Sequence, residues 1–276
     1  MLEAGVDAPL PTFVIAGAMR SGTTSLTRWL RGHPDVWMSP NKELHYFDTR
    51  WERGVTVDEY RQDFAGWDHQ PAVGEATPNY VFHRDAMQRL TSVLPDARIV
   101  LSLRHPVDRA YSHYWARRSR GIETRGFAEV VATEPEVPVT DDGGLLARGR
   151  YLEQIQRMLH HLDREQLLVV LFDDLEAHPT ETFVEVCDFI GVGRTSVPDE
   201  VGRAANGYRH FRSERVRQLS LRLPKSLGNA VGHLNSRTEK YPTMDAPLRA
   251  ALCEQFRPHN DALAEWLGRD LSAWDS

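Results

Sequence analysis

Three clusters of residues have the types and spacing that group-transfer chemistry needs. The first, Gly17-Ala18-Met19-Arg20-Ser21-Gly22-Thr23-Thr24-Ser25, follows the apolar run Phe13-Val14-Ile15-Ala16 and carries two glycines five apart with hydroxyls just beyond, as a phosphate-binding loop does. A nucleotide-hydrolysing loop has lysine directly after its second glycine, on the β- and γ-phosphates. Thr23 stands there instead, and the loop's cation is Arg20, two residues before Gly22. Backbone N–H groups and the positive end of the next helix can still hold a phosphate, while the planar Arg20 charge stabilises a neighbouring anion. The second cluster is Lys42-Glu43-Leu44-His45-Tyr46-Phe47-Asp48. If extended, it puts Glu43 and His45 on one face, a carboxylate and an imidazole suited to taking a proton from a hydroxyl or amine. The same residues also suit a surface ion pair of Glu43 with Lys42 or an arginine. The third, Arg104-His105-Pro106-Val107-Asp108-Arg109-Ala110-Tyr111-Ser112, offers a guanidinium fork and a hydroxyl to one anion, or an arginine that only satisfies strand-end carbonyls.

These residues need a scaffold that gathers strand ends and helix starts. Strand and helix signals alternate: a strand at Phe13–Ala16, a helix from Thr24 closed by Gly32 and Pro34, short strands at Val36–Met38 and Ala72–Gly74, and a helix around Asp85–Leu94. The run Ile99-Val100-Leu101-Ser102-Leu103 reads as a strand buried in a parallel sheet, and Pro106 opens the helix after it. A helix from about Tyr151 to Leu162, a strand Leu167–Phe172, a helix near Pro179–Ile190 and a C-terminal helical region Ala246–Leu267, interrupted at Pro258, complete the pattern. Residues 133–148, with prolines, acids and Gly143-Gly144, read as a mobile loop. The expectation is an α/β, P-loop-like three-layer fold, its central parallel sheet flanked by helices, with a flexible N-terminus over 1–11 and one domain over 12–276. In such sheets ligands collect where strands end, which is where all three clusters fall.

Composition narrows the function. A chain of 276 residues with net charge −6 is large enough for a sizeable core and does not have the basic balance of a nucleic-acid-binding protein, although Arg117, Arg118 and Arg120 form a local basic cluster. No run approaches the roughly 18 apolar residues of a membrane span, and the first eleven residues lack the basic and apolar regions of a signal peptide. Cys187 and Cys253 sit in amphipathic stretches and read as buried thiols, consistent with a cytoplasmic setting. The twelve histidines give no pair with metal-ligand spacing. Nothing in the residue pattern specifies an oligomeric state.

Taken together, the loop, His33-Pro34-Asp35-Val36, Lys42 to Asp48, Glu75-Ala76-Thr77-Pro78-Asn79-Tyr80, Leu103 to Ser112 and the ending Gly268-Arg269-Asp270-Leu271 before Trp274 resemble the sulfotransferases that use 3′-phosphoadenylyl sulfate (PAPS). Within that family the chain is most similar to the heparan sulfate sulfotransferase branch and its bacterial relatives. The resemblance implies PAPS as co-substrate with no metal required. It implies that Arg20, Ser21, Gly22, Thr23, Thr24 and Ser25 hold the 5′-phosphosulfate, Arg104 and Ser112 the 3′-phosphate, and Glu43 the base role. His45 and Asp48 would support the base and line the acceptor cleft with Glu75, while Tyr208 and Arg212 would lie on a nucleotide-covering loop. The family often has lysine where this chain has Arg20, so electrostatic stabilisation rather than proton donation is expected there. The implied acceptor is a glycan, lipid or small natural product, with Trp37, Tyr46, Phe47, Trp51 and Tyr80 lining its cleft or filling core. Two other functions fit parts of the pattern: an atypical P-loop kinase or NTPase, and a non-catalytic nucleotide- or glycan-binding protein.

Overall fold

The computed structural model describes residues 8–135, 143–193, 196–203 and 241–276, together with the backbone of 209–211 and 236–238. Five strands, β1 (Phe13–Gly17), β2 (Val36–Met38), β3 (Ala72–Ala76), β4 (Arg98–Leu103) and β5 (Leu167–Leu171), form an all-parallel sheet in the order β2-β3-β1-β4-β5. Helices α1 (Thr23–Arg31), α2 (Val57–Arg61), α3 (Ala86–Val93), α4 (Pro106–Ser119), α5 (Phe127–Ala132), α6 (Tyr151–Met158), α7 (Phe172–Ala177), α8 (Pro179–Ile190) and α9 (Ala246–Leu267) connect and cover it. A separate antiparallel ribbon pairs Arg209–Phe211 with Ser236–Thr238.

The strands are largely apolar because both faces of the sheet are covered, with Glu75 of β3 and Ser102 of β4 as buried polar exceptions. Val14, Ala16, Ile99, Leu101 and Leu103 pack with Met87 and Leu90 of α3 and Tyr151, Ile155 and Met158 of α6. The alternate residues Phe13, Ile15, Val100 and Val170 pack with Leu26, Trp29 and Leu30 of α1 and Phe183, Val186 and Cys187 of α8. This period-two division makes the three layers that alternation in the sequence predicts. A third apolar cluster, around Val107, Tyr111 and Tyr114 of α4 with Phe127, Leu252 and Phe256, fixes α4 against α5 and α9.

Two expectations change. Helix α9 runs through Pro258 without a break, because Leu252, Cys253, Phe256, Asn260 and Leu263 are buried on either side of it. That burial outweighs the roughly 3 kcal/mol an interior proline costs. The second change concerns Glu43 and His45, which are not extended but stand at φ +62° and +53°. Their segment is tied to β3 rather than running as a strand: Glu43 N–H donates to the Ala76 carbonyl at 2.8 Å. The first and third segments leave the adjacent strands β1 and β4, and the second, which follows β2, crosses the end of β3 through the Glu43–Ala76 bond to meet them.

Candidate active site

The loop after β1 folds back on the sheet, with Ala18 N–H donating to the Ser102 carbonyl of β4 at 2.8 Å and Ser21 N–H to the Ala18 carbonyl at 3.2 Å. Gly22 stands at φ +84°, and a Cβ there would lie 2.8 Å from the Phe172 ring. Helix α1 begins at the next residue with no side-chain cap. Its first N–H groups have no acceptor within the helix, as a phosphate-binding turn requires. Thr23, Thr24 and Ser25 line a cavity of about 470 Å³ together with Arg20, Gly22, Lys42, Glu43, Arg104 and Ser112. Ser21 is the exception: it is fully buried behind the loop, and its carbonyl accepts from the Ser102 hydroxyl.

Lys42 is the residue that sequence reasoning missed. Its ammonium donates to Thr24 Oγ1 at 2.7 Å and Thr23 Oγ1 at 3.2 Å, so a cation from outside the loop reaches the place where the loop lacks one. The signal was present as Lys42-Glu43, which reads equally well as a surface pair; the two groups are 3.7 Å apart on the cavity wall. Burial lowers the Lys42 pKa, and Arg20 pushes the same way, against an opposing pull from Glu43.

Arg20 Nε donates to Ser112 Oγ at 3.1 Å, and Arg104 Nη1 reaches the Arg20 carbonyl at 3.4 Å. The first and third clusters therefore merge into one wall. Arg104 also lies over the Phe172 ring, 4.6 Å from its centroid. Arg20 is lowered by burial first, with Arg104 and Arg120 adding to the effect and Tyr241 and Glu43 opposing it. Three cations held close together and partly stripped of water suit an anion: a polyphosphorylated ligand would restore the solvation they lose. Arg117, in the last turns of α4, and Arg120, just past its end, extend this basic wall.

Beside Lys42, Glu43 is half-exposed, 47% for its side chain, and its Oε2 lies 4.0 Å from His45 Nε2. His45 Nδ1 pairs with Asp48 Oδ2 at 2.8 Å. That hydrogen bond is the largest cause raising the His45 pKa, partly offset by burial. Asp48 is fully buried and also accepts from Asn79 Nδ2 at 2.8 Å, while Asn79 Oδ1 accepts from Arg148 Nη2 at 3.0 Å. Asp48 thus supports His45 from beneath rather than meeting the cavity. Arg148, which no sequence motif marks, carries this chain of hydrogen bonds on, its Nε donating to the Gly143 carbonyl at 2.7 Å.

Glu75 stands elsewhere than the sequence reading expects. It is 0% exposed and accepts from Tyr60 Oη at 2.7 Å, Thr77 Oγ1 at 2.8 Å and Tyr80 Oη at 3.2 Å. Burial pushes its pKa up to about 7 against the pull of these three donors. Tyr46, Phe47 and Tyr80 are core residues, and Trp37 and Trp51 pack against the same core, so none of them forms an aromatic cleft on this cavity. Tyr208 and Arg212 lie outside the described residues.

A family model described as the sulfotransferase family matches residues 56–196, from before α2 to beyond α8. The chain belongs to the sulfotransferase family. The crystal structure of a sulfotransferase from Alicyclobacillus acidocaldarius is 30% identical, superposes with a TM-score of 0.75, and is covered over 100% of its length by 97% of this chain. The bifunctional heparan sulfate N-deacetylase/N-sulfotransferase 3 of Mus musculus is 30% identical over 96% of this chain and 31% of its own length. The heparan sulfate glucosamine 3-O-sulfotransferase 3A1 of the same organism is 26% identical over 96% of this chain and 65% of its own. The chain therefore spans about one to two thirds of the length of these curated relatives. For this sulfotransferase-family member the family match begins beyond Glu43, so the loop and Lys42 to Asp48 rest on their own geometry and on the longer alignments. No helix among the described residues is long and apolar enough to cross a membrane.

Proposed function

We propose that the chain transfers a sulfuryl group from PAPS to a hydroxyl or amine of an acceptor, and that a glycan is the acceptor class. The observation that carries this reading is one cavity lined by Arg20 of the phosphate-binding loop, by Lys42 reaching that loop from outside, and by Glu43 with His45 behind it. The names of the two curated relatives, an N-sulfotransferase and a 3-O-sulfotransferase of heparan sulfate, support the acceptor class.

The donor supplies an activated sulfuryl group joined through oxygen to a phosphate. The loop N–H groups with Thr23, Thr24 and Ser25 hold that phosphate, and Arg104 with Ser112 holds the 3′-phosphate. Glu43 takes the proton of the acceptor hydroxyl or amine as its oxygen or nitrogen bonds to sulfur. The sulfur–oxygen bond to the phosphate breaks in line, and its electron pair stays on the phosphate oxygen. Arg20 and Lys42 neutralise the charge that gathers there, which is the largest demand in a loose transfer of this kind. His45, held by Asp48, stands 4.0 Å from Glu43 and keeps it aimed. No step in this sequence calls for a metal.

A kinase or NTPase reading needs an acid free to hold Mg²⁺ at a strand end. Strand β4 ends in Arg104, Glu75 of β3 is enclosed by hydroxyls, and after β5 Asp173 and Asp174 are engaged by Trp274 and Arg269. The test is Glu43→Gln, assayed with labelled PAPS against a panel of glycan acceptors. Turnover is expected to fall by about 10² to 10⁴, while calorimetry finds the affinity for 3′-phosphoadenosine 5′-phosphate within about twofold of the parent, as expected for loss of a base alone. Undiminished turnover in this variant would remove Glu43 from the mechanism.

A further inference from the structure

The carboxylate of Glu75 lies outside the cavity, yet it touches the turn that carries the base through two intermediaries. Thr77 Oγ1 donates to Glu75 Oε2 at 2.8 Å and accepts from His45 N–H at 3.4 Å. Tyr80 Oη donates to Glu75 Oε1 at 3.2 Å and accepts from Tyr46 N–H at 2.9 Å and Phe47 N–H at 3.4 Å. A hydroxyl has one proton and two lone pairs, and an ionised carboxylate only accepts. Facing Glu75, both hydroxyls must spend their protons inward, which turns their lone pairs toward the backbone of residues 45–47. That backbone needs holding, because Glu43 and His45 both occupy the left-handed region that non-glycine residues disfavour.

We propose that Glu75 is a positioning residue for transfer: by fixing the donor direction of Thr77 and Tyr80 it holds the turn at His45–Phe47, and with it the aim of Glu43 and His45. The proposal rests on the reading of Glu43 as the base. Tyr60 provides an internal control, since its hydroxyl donates to Glu75 at 2.7 Å but has no bond to the turn. Its ring stacks on Tyr46 at 4.1 Å, a contact that phenylalanine keeps.

The experiment compares Glu75→Gln, Thr77→Val, Thr77→Ser and Tyr60→Phe in the full chain, with Glu43→Gln alongside. Assays are run above neutrality, where the Glu75 carboxyl is ionised although burial raises its pKa to about 7. Glutamine brings an N–H₂ donor that forces one hydroxyl to reverse. Glu75→Gln and Thr77→Val are expected to lower kcat by about 10- to 100-fold, the scale of a misplacement of about 1 Å. KM for PAPS stays within about twofold, since the loop is untouched, and a purely structural lesion would not separate the two constants in this way. Amide hydrogen exchange at His45, Tyr46 and Phe47 should quicken in the same two variants. Thr77→Ser keeps the hydroxyl and should restore both readouts; Tyr60→Phe should lower the melting temperature while leaving both near the parent values. If Glu75→Gln does not fold, Thr77→Val against Thr77→Ser carries the same decision. Unchanged kcat in Thr77→Val, or an equal fall of kcat in Tyr60→Phe, overturns the proposal. Should Glu43→Gln remain active, the base reading fails on its own, and the exchange rates at 45–47 still decide whether Glu75 holds the turn.

Discussion

An ammonium taken partly out of water keeps its proton less readily, and Lys42 is partly buried beside a second cation, Arg20, with one carboxylate, Glu43, in opposition. Its pKa is therefore lowered, and the sign for activity follows. The charged form that faces the loop is lost as pH rises, earlier than for a lysine in water. The rate should accordingly fall along an alkaline limb below the ordinary lysine range. Lys42→Arg should move that limb out of the accessible range, because a guanidinium stays charged, even if the changed geometry lowers kcat. Lys42→Met should cost about 10² to 10³ in kcat, the usual loss for one donor to developing charge. Measured pH–rate profiles of the two variants decide this: an alkaline limb that persists unchanged in Lys42→Arg assigns it to another group. At this scale the loop, Glu43, Arg104 and Ser112 are legible as residue types at telling positions. Lys42 is not, because the contact that matters spans 18 residues between Lys42 and Thr24.

The turn from β1 into α1 is the element on which the anion site is built, and its shape depends on one backbone conformation. Gly22 at φ +84° lets α1 start without a side-chain cap and lets Phe172 come close enough that a Cβ would meet its ring at 2.8 Å. Gly22→Ala would carry a left-handed penalty of about 1–2 kcal/mol. It would also push Phe172, over which Arg104 lies, away from the loop. Chemical denaturation should report at least the backbone penalty, and calorimetry with 3′-phosphoadenosine 5′-phosphate should report an affinity loss of about tenfold or more, the equivalent of about 1.4 kcal/mol. Affinity equal to the parent's would mean that the turn does not bind the nucleotide. Sequence periodicity is a good guide to such elements when the apolar face is narrow, as in α1 and α8, where Leu26, Trp29 and Leu30 or Phe183, Val186 and Cys187 recur at helical spacing. It misleads at Pro258, where burial on both sides keeps α9 whole, and at Glu43 and His45, where hydrogen bonds to β3 and to distant hydroxyls impose left-handed backbone that propensity does not suggest.

Across the whole molecule the C-terminus returns to the sheet and closes the end where the strands finish. Trp274 is 1% exposed among the residues packed with Tyr151, and its indole N–H donates to Asp173 Oδ2 at 2.9 Å, directly after β5. Arg269 pairs with Asp174 at 3.0 Å, and the Ser276 carbonyl accepts from Arg249 at 2.9 Å. Trp274→Ala should therefore cost about 3–5 kcal/mol, the range for deleting a buried aromatic. Urea unfolding checks this, and a loss below about 1 kcal/mol would mean the tail is not part of the core. The layered α/β architecture and the order of its elements were determined by the sequence alone, through short continuous β-rich apolar runs of the kind buried in a covered parallel sheet and through helical repeats between them. The two segments proposed to bind anions stood out because loop chemistry demands glycine and hydroxyls within a few consecutive residues. Only the tertiary structure decided that Lys42 completes the loop, that Arg20 and Ser112 share one wall, and that Glu75 is enclosed by Tyr60, Thr77 and Tyr80 instead of meeting a ligand. Strand order is the reason: with β1 set between β3 and β4, segments remote in sequence become neighbours, and a carboxylate's role depends on which of its neighbours are hydroxyls and which are water.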